Sequence, residues 1–297
     1  MTEPVADSLR HIDADVTDRP QAIELNTITQ GDCLDLLPRV ESRSVDMVMT
    51  SPPYDSLRVY KGYSFDFEGV ARELYRVVKP GGIVVWVIGD ATQNGSETGT
   101  SFKRALYFKN IGFNLHDTML FHKINYIPLT HNRYEQAFEY MFCFSKGRPK
   151  TFTPIRIPCK SAGKRAIHAF YQSPAAETCT SHGNGGFVRP DKQSSNIFSY
   201  VVGNEKTGHP AVYPLALAVD QISSWSNPGD IVLDPFFGSG TTGVACQQLS
   251  RNFIGMEISP EYCEIARGRL RAGFCETLPP SAHHSIEGLP LFDGLRL

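Results

Sequence analysis

Apolar and polar positions along this chain fall into blocks, and the period changes from one block to the next. Residues 23–29 alternate as a strand does, and Gly31-Asp32 ends them. Residues 33–40 suit a short helix and residues 45–50 an apolar strand. Over residues 66–78, Val70, Leu74, Val77 and Val78 share one helix face. Lys79-Pro80-Gly81-Gly82 is a stop signal for that helix. Residues 83–88 are apolar without a break, as in a central parallel strand covered on both faces. A helix over 102–111 follows, then strands over 114–120 and 135–145 that suit a hairpin. The alternation resumes with a helix over 213–225, a strand over 231–234 and a helix over 240–249. A strand over 253–258 and a helix over 260–270 complete it. This order predicts an α/β fold with an open, doubly wound, mostly parallel sheet.

Two strand ends carry candidate chemistry. The strand over 45–50 runs into Ser51-Pro52-Pro53-Tyr54. Neither proline can donate to a ladder and both fix φ, so the strand must stop in a rigid turn. The Ser51 hydroxyl and the Ser51 and Pro52 carbonyls offer acceptors, and Tyr54 offers a stacking face. The second strand end is Asp234-Pro235-Phe236-Phe237-Gly238-Ser239-Gly240-Thr241-Thr242-Gly243, between a strand and a helix. Its glycines admit close approach of a ligand to the backbone. Glu257, 19 residues after Gly238, is placed to accept ribose hydroxyls. The spacing alone would suit NAD. Asp234, however, would repel a pyrophosphate and welcome a cationic amino group, and the motif comes late in the chain.

Charge adds a third feature. The net charge is −2, which by itself predicts no polyanion partner. Residues 146–192 nevertheless hold nine Lys and Arg against two acids, a local +7, leaving −9 for the rest. Prolines, serines and glycines interrupt this region, and Phe152, Phe170, Tyr171, Phe187 and Phe198 are interleaved with it. A basic, aromatic-bearing loop suits a phosphate backbone and exposed bases; a solvated charged face is the plainer reading. The seven cysteines are scattered with no C-x-x-C pair, so reduced thiols are expected and no metal site. No apolar stretch reaches the roughly 20 residues of a membrane span. Residues 1–22 are polar and acidic and read as a flexible arm.

Together, in this order, the motifs resemble those of the permuted β-type DNA amino-methyltransferases, over roughly residues 24–145 and 200–270. Thr50-Ser51-Pro52-Pro53-Tyr54 looks like the catalytic motif of that family, and residues 234–242 look like its cofactor loop. The resemblance implies the seven-stranded-type sheet of S-adenosylmethionine-dependent methyltransferases. It implies S-adenosylmethionine as cofactor, held by Asp32, Asp234, Phe236, Gly238, Ser239, Gly240, Thr241, Glu257 and His209. Asp32 would read the adenine amino group. Tyr213 stands before Pro214 where the family usually has lysine. The implied layout is a catalytic domain of residues 23–145 and 201–275, a target-recognition insertion of 146–200 and a tail of 276–297. The implied substrate is double-stranded DNA, with Lys160, Lys164 and Arg165 as candidate phosphate contacts. A cognate restriction endonuclease and a second copy of the chain are the candidate partners, and the expected place of action is the cytoplasm, at the nucleoid. Tyr60 and Tyr63 are candidates to border the flipped base.

An exocyclic amine is a poor nucleophile because its lone pair is delocalised into the ring. Acceptors from Ser51 and the Pro52 carbonyl would bind its N–H groups and turn the lone pair toward the methyl donor, so positioning carries the catalysis. Ser at the first motif position resembles the cytosine-N4 enzymes; Asp there resembles the adenine-N6 enzymes. The expected target is therefore N4 of cytosine, with N6 of adenine in DNA as the alternative. Methylation of RNA or of protein glutamine, NAD-dependent oxidoreduction and non-catalytic DNA binding are the competing classes.

Overall fold

The computed structural model describes residues 22–53, 65–126, 132–165, 186–203 and 213–272. Tyr54, Tyr60, Tyr63 and His209 lie outside the described residues, as do residues 1–21 of the arm and residues 273–297, which include the whole tail. The chain runs β1 (Thr27–Gln30), α1 (Cys33–Leu36), β2 (Val45–Thr50), α2 (Phe67–Val77) and β3 (Val78–Ile88). A small ribbon of β4 (Thr92–Gln93) and β5 (Ser96–Glu97) leads to α3 (Thr100–Asn110), β6 (Asn114–Lys123) and β7 (Phe138–Ser145). A second ribbon joins β8 (Arg156–Pro158) to β9 (Asp191–Gln193). Then come β10 (Ile197–Tyr200), α4 (Leu215–Trp225), β11 (Ile231–Asp234), α5 (Thr241–Gln248), β12 (Asn252–Glu257) and α6 (Pro260–Ala272).

Eight strands form one sheet in the order β1-β12-β11-β2-β3-β7-β6-β10. All neighbours pair in parallel except β7, which is antiparallel to both β3 and β6. Side chains alternate across the sheet as the pleat requires. Met47, Met49, Ile83, Val85 and Val87 face the layer of α4, α5 and α6. Val48, Val84, Trp86 and Ile88 face α1, α2 and α3. The apolar run at 83–88 is thus a central strand covered on both sides. Helix α2 forms because Asp66 caps it, accepting the Gly69 amide at 3.0 Å, and because Val70, Ala71, Leu74 and Val77 make one buried face.

Two elements differ from the sequence expectation. Lys79-Pro80-Gly81-Gly82 is not a gap between helix and strand. Val78 already pairs with Val45, and the register slips before Met47 meets Ile83, so the segment is an irregular entry into β3. Lys79 anchors it through an ion pair with Asp46 at 2.6 Å. The second difference is an eighth strand. β10 comes from the end of the 146–200 region and extends the sheet beyond β6. Phe198 and Tyr200 point into the core, and the Tyr200 hydroxyl donates to Asp220 at 2.7 Å. Four residues inside a loop-like stretch show too little alternation to announce themselves.

Candidate active site

The order of strands reverses between β11 and β2. From β11 the chain crosses to β12 on one side; from β2 it crosses to β3 on the other. In open α/β sheets ligands bind in the crevice at such a point, outside the carboxyl ends of the strands. Both candidate motifs begin there. β2 ends at Thr50 and delivers Ser51, Pro52 and Pro53; β11 ends at Asp234 and delivers the glycine loop.

The two strand ends are joined directly. The Thr50 hydroxyl donates to Asp234 Oδ1 at 2.7 Å. The same oxygen accepts the Phe236 amide at 3.1 Å. Oδ2 accepts the Thr242 hydroxyl from the first turn of α5 and the Tyr213 hydroxyl at 3.3 Å from the residue pair ahead of α4. The Tyr213 and Thr242 hydroxyls also touch; each has one proton, so while both donate to Oδ2 neither donates to the other. Asp234 is buried, and burial raises its carboxyl to about 6 against the four donors that hold it down. Burial and the neighbouring carboxylate push the Tyr213 phenol well above its usual range, so it stays a neutral donor. The carboxylate turns inward, onto protein hydroxyls, where the sequence alone suggests a cationic amino group of a ligand.

The glycine loop is shaped around Phe237. Gly240 takes φ 85°, the left-handed region that favours glycine, and opens α5. A Cβ on Gly255 would lie 2.7 Å from the Phe237 ring, so that strand residue must be glycine for the ring to lie flat on β12. Arg269 of α6 braces the loop from behind, donating to the Ser239 carbonyl at 2.9 Å and to the Ser239 and Thr241 hydroxyls at 3.0 Å.

Glu257 closes β12 beside this loop. Its Oε2 accepts the Gly238 amide at 2.7 Å and its Oε1 the Ser259 amide at 2.8 Å. Burial raises its carboxyl and these amides oppose the rise. A carboxylate has about four acceptor positions, so two amides leave capacity for ligand hydroxyls. Asp32 lies at the adjacent strand end, where Gln30 is in register with Glu257 and the Gly31 amide donates to the Glu257 carbonyl at 3.0 Å. Its Oδ1 accepts the Leu34 amide at 2.9 Å. Asp32, Glu257, the 238–241 turn, Asp234 and Ser51 therefore follow one another across the carboxyl edge of four neighbouring strands. Thr50 and Thr242 belong to this site as members of the two motifs, through bonds to Asp234 that the sequence does not announce; Arg269 belongs to it and carries no motif. Tyr213 was visible only as a departure from the family pattern.

The basic candidates are elsewhere. Lys160, Lys164 and Arg165 are exposed in the turn beyond β8, tied to the returning chain by the Val188 amide on the Lys164 carbonyl and by the Arg165–Phe187 bridge. The root of this ribbon packs on the last turn of α4, with Phe152 stacked on Trp225 at 4.5 Å and the Thr153 amide on the Ser224 carbonyl at 2.8 Å. That is the end of α4 remote from Asp234. Two cations of the basic stretch serve structure instead. Lys146 donates to the carbonyls of Tyr75 and Val78, and Arg156 forms a forked pair with Asp191, both contacts at 2.8 Å. Burial keeps the thiols of Cys143, Cys246 and Cys33 protonated, the last pushed up to about 12. Among the described residues no helix is long and apolar enough to cross a membrane.

The sheet order, the lone antiparallel β7 and the two strand-end motifs define the S-adenosylmethionine-dependent methyltransferase fold. Comparison with known proteins agrees. Residues 45–268 match the N6/N4 methyltransferase family, described as DNA methylase, and the chain belongs to it. It is 49% identical over 237 residues to the orphan methyltransferase M.BamHII of Bacillus amyloliquefaciens, covering 77% of this chain and 89% of that protein. It is 27% identical over 286 residues to the type II methyltransferase M.SmaI of Serratia marcescens, covering 82% and 90%. Among solved structures, the cytosine-N4-specific PvuII DNA methyltransferase superposes with a TM-score of 0.63 over 84% of this chain and 87% of its own. At 22% identity that likeness speaks to the fold alone. M1.HpyAVI, solved in complex with S-adenosylmethionine, is 28% identical with a TM-score of 0.54, covering 82% and 98%.

Proposed function

We propose that this DNA methyltransferase methylates the exocyclic amino group of a base flipped out of duplex DNA, and that its target atom is N4 of cytosine. The observation that carries the reading is the junction of the strand ends at Thr50 and Asp234: the acceptor turn that begins at Ser51 and the glycine loop start from adjacent strands tied by one hydrogen bond. S-adenosylmethionine, the family's methyl donor, supplies an electrophilic methyl group when bound. The residues present fit it: Glu257 retains acceptor capacity for a ribose, Asp32 stands one strand further along, and the 238–241 turn brings backbone close to the ligand. Ser51 and the Pro52 carbonyl accept the N–H groups of the target amine. Withdrawing both N–H groups from the ring plane localises the lone pair on nitrogen, and the rigid Pro52-Pro53 turn fixes its direction. Tyr54 is assigned the stacking face for the extruded base.

The choice of base rests on Ser51. A neutral hydroxyl is the weaker acceptor, and in the family it accompanies the cytosine enzymes. We assign DNA contact to the exposed stretch around Lys160, Lys164 and Arg165. Incubating the protein with plasmid DNA and S-adenosylmethionine, then digesting to nucleosides for mass spectrometry, tests the reading. N4-methylcytosine is the expected product. N6-methyladenine would overturn the choice of base, and methylation of RNA or protein but not DNA would overturn the substrate class.

A further inference from the structure

Asp234 is gripped by donors from four separate elements: Thr50 at the end of β2, Phe236 in the glycine loop, Thr242 in α5 and Tyr213 ahead of α4. Its two oxygens divide the labour. Oδ1 reaches the strand that delivers Ser51; Oδ2 reaches the helices on either side of the cofactor loop. Tyr213 touches both the carboxylate and Thr242, and donates its single proton to the carboxylate. A lysine would neutralise the carboxylate; the phenol only donates to it. Among the described residues, the groups acting on Asp234 are hydroxyls and one amide, with the Cys246 thiol as the other titratable neighbour.

We propose that Tyr213 is a positioning residue that holds the catalytic turn and the cofactor loop in register through Asp234. This rests on the methyl-transfer reading above, since it assigns Ser51 and the loop to one reaction. A hydrogen bond about 3 Å long is direction-sensitive, and a misplacement of 1 Å in a reacting group can slow a reaction about 100-fold. Losing the phenol loosens Oδ2, and through the same carboxylate loosens Thr50, the residue before Ser51. The ionised carboxylate is the form that accepts four donors, so removing one donor makes it easier to protonate.

The test compares Tyr213→Phe, Thr50→Val, their double variant and Tyr213→Lys with the parent protein. Calorimetry measures S-adenosylmethionine binding without DNA; single-turnover methylation of duplex DNA is followed across pH 5–9. For Tyr213→Phe we expect cofactor binding weakened about 5–10-fold, transfer slowed about 10-fold and the DNA Kd unchanged. The acid limb of its rate profile should move up by about half a pH unit. Thr50→Val should slow transfer similarly, and the double variant should fall short of the product of the two effects. Tyr213→Lys should restore transfer and move the acid limb down. Unchanged binding, rate and pH profile in Tyr213→Phe would overturn the proposal. So would a fall in melting temperature with parental kinetics per folded molecule, or full additivity with Thr50→Val. Absence of DNA methylation by the parent protein would instead defeat the functional reading, and the binding arm would still decide whether Tyr213 shapes the cofactor loop.

Discussion

At the scale of single residues, the site consists of polar groups buried where strands end. Asp234 has the most at stake. Its carboxyl is raised to about 6 from 3.8, chiefly by burial. Between these values the folded protein holds a proton that the unfolded chain has released. Stability from this group is therefore present at low pH and declines as pH rises from about 4 to about 6. Asp234→Asn removes the titration. The stability difference between the Asn variant and the parent, measured by urea unfolding, should shift in favour of Asn through that window and level off above it. A constant difference, or the opposite slope, would contradict the assignment. On our proposal function makes the opposite demand, since only the carboxylate accepts all four donors. How much of this was legible varied with residue type. Ser51, Asp32, Asp234 and Glu257 could be named because carboxylates and prolines at strand ends follow recognisable spacing. Thr50 and Thr242 were legible only as members of the two motifs, and Arg269 not at all, because hydroxyls and arginines are common and their partners lie 184, 8 and 30 residues away.

At the scale of elements, the alternation of strand and helix periods gave the sheet, because each strand is covered by helices that had to show one apolar face. What stayed hidden were junctions. The helix α2 passes into β3 with no loop, and β10 is four residues long. The reason for Gly255 was equally invisible, since the Phe237 ring that occupies its space lies 18 residues earlier. Placing Cβ within 2.7–2.8 Å of a ring stacked between β12 and Gly240 must move backbone or ring. Gly255→Ala should destabilise the protein by about 1–3 kcal/mol, read from the urea midpoint. Replacing Phe237 by Leu in the same variant should recover part of that loss. An Ala variant as stable as the parent would mean the ring is not held where it lies.

At the scale of the whole molecule, charge is segregated. A chain of net −2 concentrates a +7 stretch in residues 146–192. The structure narrows that island, since Lys146 and Arg156 are occupied with protein partners. Replacing Lys160, Lys164 and Arg165 by Gln should leave the melting temperature unchanged, because all three are exposed. If each meets a phosphate, the slope of log affinity against log salt should fall by about 2.7. An unchanged slope would place the phosphate contacts elsewhere. We propose, above all, that one edge of the sheet divides into a turn for chemistry and a loop for the cofactor. The most direct measurement is the pair of S-adenosylmethionine affinity and single-turnover DNA methylation rate in Ser51→Ala and Glu257→Ala. Ser51→Ala should keep cofactor affinity within about twofold of the parent while transfer slows about 100-fold or more, and Glu257→Ala should lose cofactor affinity. Parental turnover in Ser51→Ala, or equal loss of cofactor affinity in both variants, would contradict it.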